Sequence, residues 1–155
     1  MRNYHSYINQ TIGYLSKDQI CAQAEIRGSF LSPGVNGATV FYRHARESGF
    51  FIVSVIFGLP DNGIKSYEMC IHGGLCPAFS TDESTRHIAR LKDPVLLPDV
   101  CGNGGFAFSV FYTEGLCFED FMGRNVSILT KSTDRKGYYH RSDEQLGCGL
   151  ILPVN

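Results

Sequence analysis

The stretch Tyr-Glu-Met-Cys-Ile-His-Gly-Gly-Leu-Cys, residues 67–76, sets Glu68, Cys70, His72 and Cys76 within ten positions. Carboxylates, thiolates and imidazoles are the side chains that hold zinc and copper. Glu68, Cys70 and His72 are spaced by two, so on a strand they share one face. Neighbours on that face stand about 6.5–7 Å apart, so two of them reach one ion, and all three do so only if the strand bends. A plainer reading stands beside this one. Cys70 is then a small core hydrophobe, His72 lies at the rim of the fold, and Cys76 is half of a disulfide.

No other cluster has supporting local grammar. Neither a Cys-His nor a Ser-His-Asp arrangement is marked by its surroundings. Gly102-Asn-Gly-Gly105 reads as a hairpin turn, because a strand follows it and not the helix that a phosphate loop needs. Alternating aromatics read as a sheet face and not as a nucleic-acid platform.

The elements that must position these residues are strands. Seventeen glycines, eleven phenylalanines and eight tyrosines occur in 155 residues, with no long stripe of 3.6 period. Strand patterns begin at residue 21 (CAQAEIRGSF), after the 33–37 turn region (GATVFYRHAR), and again at GFFIVSVIFGL and IKSYEMCIH. They resume at GFAFSVFYTEG, with Phe106, Phe108, Val110 and Tyr112 on one face. A short CFEDFM, then RNVSILTK and LGCGLILP, complete about eight strands, which predicts an all-β antiparallel sandwich or barrel. Residues 77–100 read as a long connection, with a helical turn over TDESTRHIARL capped by Thr81 or Ser84. Residues 132–144 read as a second, polar loop. The first twenty residues precede the pattern and read as a mobile arm, leaving 21–155 as the barrel domain.

The net charge of −1 asks for neither nucleic acid nor an anionic membrane, and no apolar run reaches about 18 residues. The six cysteines are too scattered for a dense disulfide scaffold, so one disulfide with several buried thiols is expected. Asn9-Gln-Thr and Asn125-Val-Ser match the glycosylation sequon, while the opening residues lack an apolar leader.

The order of features resembles the Cu/Zn superoxide dismutase family from about residue 21 to 152. GLPDNGIKSYEMCIHGGLC is similar to that family's Gly-Leu-Pro turn, its Gly-Phe-His-x-His-Glu-x-Gly segment and its loop cysteine. LLPDVCGNGGFAFSV resembles the end of the metal loop and the next strand. MGRNVSILTKSTD resembles the Gly-Arg-x-Val-x-Ile-His strand, and LGCGLI the closing Ala-Cys-Gly-Val-Ile. The resemblance implies an eight-stranded Greek-key barrel and a disulfide between Cys76 and Cys148.

The same alignment removes the family's chemistry. Copper there is held by imidazoles, which let one site cycle between oxidation states. Glu68, Cys70 and Leu129 stand at copper-histidine positions, and the bridging-histidine motif has no counterpart. Asp93 and Leu96 stand at zinc-ligand positions, and Gln145 replaces the arginine that guides the anionic substrate. Cys70, His72 and His87 are what is left to bind a metal. No cofactor is therefore expected, with copper or zinc as the alternative.

The resemblance then implies a non-catalytic relative that acts as a decoy, a scaffold or a structural protein. Two alternatives stand: a divergent dismutase converting superoxide to hydrogen peroxide and oxygen, and a copper-handling domain, which would lack a Cys-x-x-Cys transfer motif. Implied partners are a second copy, paired through Gly73, Phe121 and Met122, and a copper chaperone. A monomer with those three residues under the N-terminal arm is the other arrangement. The implied disulfide and the sequons favour an extracellular setting.

Overall fold

The computed structural model describes residues 4–13, 15–30, 32–44, 48–60, 66–74, 76, 92–133 and 139–155. Eight strands run β1 (Ile20–Gly28), β2 (Asn36–Arg43), β3 (Phe50–Phe57), β4 (Ser66–Gly73), β5 (Lys92–Asn103), β6 (Phe106–Thr113), β7 (Asn125–Thr133) and β8 (Tyr139–Pro153). Among the described residues two α-helices accompany them, α1 (Tyr4–Ile12) and α2 (Phe118–Phe121), with a single 3-10 turn at Lys17–Gln19. The strands close a barrel in the order β1-β2-β3-β6-β5-β4-β7-β8, every neighbouring pair antiparallel. β4, β5 and β6 follow one another as neighbours, and β3 returns to lie beside β6. That is the Greek-key arrangement.

Closure has local causes. Gly104 and Gly105 carry φ of 59° and 82°, and Asn103 pairs with Phe106 across them. Two positive φ angles in a two-residue loop match the twist of the flanking strands, and glycine adopts them without steric cost. Gly149 on β8 lies so near β1 that a Cβ there would meet the Glu25 carbonyl.

The barrel interior is filled from alternate positions: Ile26, Ile52, Ile56, Met69, Ile71 and Ile128 are all buried in one cluster. Phe121 of α2 enters the same cluster. Its ring stacks on Phe41 at 4.5 Å, and the Phe50 ring meets it edge-on at 5.1 Å. Such pairs contribute about 0.5–1.5 kcal/mol each beyond their burial. α2 starts where the Cys117 backbone N–H donates to the Asp120 carboxylate at 2.6 Å.

A second apolar layer lies outside the barrel. Tyr4, Ile8 and Ile12 of α1, four residues apart, form one helical stripe. With Leu15 they pack on Ala38, Val40, Tyr42, Val53 and Val55. The His5 Nδ1 sits 3.0 Å from the Tyr42 hydroxyl. Gly13, at φ 79°, ends the helix and donates to the Asn9 carbonyl.

Several expectations change. Residues 4–12 are a docked helix and not a mobile arm: Ile8 is 0% exposed. CFEDFM forms α2 and not a strand, because Phe121 has an interior site to fill. The eighth strand is instead β5, whose first residues fall within the span read as a loop. β7 continues to Thr133 and β8 begins at Tyr139, so most of the supposed second loop is ladder. The helical turn expected over TDESTRHIARL lies outside the described residues.

Candidate functional site

β4, β7 and β8 are neighbours, and their outward side chains form a lattice. Tyr67, Met69 and Ile71 point inward, so Glu68, Cys70 and His72 share the outer face. Across the first ladder, Glu68 faces Leu129, Cys70 faces Ser127 and His72 faces Asn125. Across the next, Leu129 faces Gln145, Ser127 faces Cys148 and Asn125 faces Leu150. A register shift between Ile128 and Leu129 brings Gln145 level with Leu129. Leu96 on β5 flanks Cys70 on the other side.

Cys70 and Leu129 are fully buried and form their own small apolar cluster. His72 and Ser127 are fully buried too, with Asn125, Gln145 and Cys148 nearly so. Cys76 and Cys148 form a disulfide, their Cα atoms 6.0 Å apart. Cys21, Cys70 and Cys117 are not disulfide-bonded, and Cys117 is exposed.

The polar members satisfy one another. The His72 Nδ1 lies 3.0 Å from the Gly73 carbonyl, which only accepts, so Nδ1 carries the proton. Nε2 of the neutral ring then accepts from the Ser127 hydroxyl at 2.5 Å. Ser127 Oγ accepts in turn from the Gln145 amide, also at 2.5 Å. The hydrogen bonds therefore run from the Gln145 amide through Ser127 and His72 to the Gly73 carbonyl, which accepts. Ser127 Oγ also lies 3.3 Å from the Cys148 sulfur. The Asn125 amide donates to the Gly74 carbonyl at 2.6 Å, which uses the nitrogen a glycan would need. Burial holds the His72 imidazole below the usual histidine range; the Gly73 hydrogen bond opposes this and the Arg124 charge adds to it.

No family model matches the chain, and no curated protein matches it. What the site does must therefore be read from its chemistry. Copper or zinc needs several lone pairs converging on one point. Leu129 supplies none. Both His72 nitrogens are engaged, and Cys70 lies against Leu129. Among the described residues no group of three or more His, Cys, Asp and Glu converges on one point. The described side chains of this lattice do not fit either ion.

The candidate residues divide plainly. Glu68, Cys70, Leu129 and Gln145 come together, and Leu96 joins their edge with 59% of its surface exposed. His87 and the Asp93 side chain lie outside the described residues. His72 stands near the end of β4, opposite the first residue of β7, and is fully buried there. Phe121 is no partner surface, because its ring is consumed in the barrel core at 0% exposure; Gly73 and Met122 stay half-buried. Reading the sequence noted Asn125 and Ser127 only as a sequon and missed their place in this lattice. The signal was there, since both alternate with Leu129 in RNVSIL.

Beside the disulfide the surface turns apolar. Leu150, Leu152 and Val154 are exposed along a groove of about 600 Å³ over β1 and β8.

Proposed function

We propose that this chain is a superoxide-dismutase-like barrel without metal chemistry, and that it acts by binding another protein as a decoy, scaffold or structural element. One observation carries the reading. The outward lattice of β4, β7 and β8, where the family resemblance locates copper, holds a buried Cys70–Leu129 pair and a histidine with both nitrogens bonded to protein. Gln145, in place of a guiding arginine, spends its amide on Ser127 and presents no charge to an anion. The exposed row Leu150, Leu152 and Val154 supports a binding role.

The test is the copper and zinc content of purified protein, with superoxide consumption measured on the same sample. The expected result is metal well below one ion per chain and no dismutation above buffer. Stoichiometric copper with rapid turnover would sink the proposal in favour of a divergent dismutase. Stoichiometric copper without turnover would replace it with a copper-handling role.

A further inference from the structure

Away from the lattice, beside α2, the start of β1, the end of β2 and the C-terminal segment line an open recess of about 520 Å³. That volume falls in the range of small-molecule sites. Its wall has two characters. Ile20, Phe118, Pro153 and Val154 supply apolar surface, while Arg43 and His44 supply nitrogen donors, and Gln19, Cys21 and Asn155 complete the lining.

Arg43 is exposed, yet it is held. Its guanidinium carbon lies 6.0 Å from the Phe50 ring centre and 5.9 Å from that of Phe118. Two ring faces fix the plane of the group by cation–π attraction. Next to it, the His44 ring rests against Phe51 at 5.6 Å and Tyr112 at 5.7 Å. Among the described residues the partners of Arg43 are the Phe50 and Phe118 rings and the Cys21 thiol, which hydrogen-bonds to it, and none of the three is a carboxylate. A guanidinium oriented in advance, facing a recess, offers a planar fork that a carboxylate meets with two parallel hydrogen bonds. Less side-chain freedom is lost on binding than for a loose surface arginine.

We propose that this pocket binds a small organic acid, its carboxylate on Arg43 and its apolar body against Ile20, Phe118, Pro153 and Val154. Both halves of the ligand are required. A bare oxyanion gains nothing from the apolar wall, and a neutral apolar molecule leaves the fork unmet.

Amide-shift titration of the full chain, using benzoate, acetate, benzyl alcohol and inorganic phosphate as probes, tests this. Benzoate is expected to give saturable shifts confined to residues around Cys21, Arg43, His44 and Phe118. Acetate and benzyl alcohol each bind roughly tenfold more weakly or worse, and phosphate does not match benzoate. Arg43→Met, which keeps the stem and loses the fork, weakens benzoate by about tenfold or more, and Arg43→Lys lies between. Equal shifts from benzyl alcohol, equal shifts from phosphate, no saturation with benzoate, or an unchanged affinity in Arg43→Met would each overturn the assignment.

Discussion

The Ser127 hydroxyl lies 2.5 Å from the His72 Nε2, although 55 residues separate them in the chain. The bond needs a neutral imidazole, because a protonated ring has no lone pair to offer. Burial keeps the folded-state pKa of His72 below its value in the unfolded chain. As pH falls below about 6.5 the unfolded chain takes up a proton that the folded one refuses. Stability from this residue is full above that pH and declines below it, toward the lowered folded pKa. Urea midpoints between pH 5 and 7.5 should show the decline, and His72→Gln should flatten it; an identical slope in the variant would remove His72 as the cause.

The Cys76–Cys148 disulfide closes a separation of 72 residues. In the chain-entropy account a loop of that length contributes about 4 kcal/mol. Reductant should therefore lower the urea midpoint markedly in the wild type and leave a Cys76→Ser, Cys148→Ser double variant unmoved. A wild-type midpoint indifferent to reductant would contradict the assignment.

α1 is docked through Ile8, whose side chain is wholly enclosed. Ile8→Ala should cost about 2–5 kcal/mol, the range for a large-to-small core change. A helix resting loosely on the barrel would show a few tenths.

Beneath α1, burial pushes the Tyr42 hydroxyl up to about 12. Above pH ~10 the unfolded chain releases a proton that the folded chain keeps, so stability falls as pH rises through that window. Tyr42→Phe should abolish this alkaline decline, read from the same midpoints.

Leu129→His adds one imidazole to the lattice. With Cys70 packed against it, the new ring enters a buried apolar site, and stability should drop by about 1–3 kcal/mol with or without added copper. Stabilisation by copper would show that the remaining ligands converge better than their arrangement indicates.

Much of the barrel was legible because alternation reports a face. Tyr67, Met69 and Ile71 against Glu68, Cys70 and His72 read correctly as two sides of one strand. α1 was harder. Its stripe spans nine residues without acidic or basic end markers, and its partners lie on β2, β3 and β6. The trace it left was in the strand beneath. FFIVSVIF of β3 does not alternate, because both of its faces are covered, one by the core and one by the helix. Of the site, the shared face of Glu68, Cys70 and His72 was legible from their spacing. The hydrogen bonds around it were not, since Ser127, Gln145 and His72 meet only across two ladders.

β3 joins β6 along eight residue pairs, from Phe50–Thr113 to Phe57–Phe106, whereas β5 joins β6 at Gly102–Ala107 and Asn103–Phe106. The wall of the barrel is therefore unequally sewn. A fluctuation that parts β5 from β6 breaks few bonds and uncovers two strand edges at once, each with backbone groups seeking partners. Solvent exchange of the β6 amides, and any strand-to-strand association between molecules, should begin at that seam.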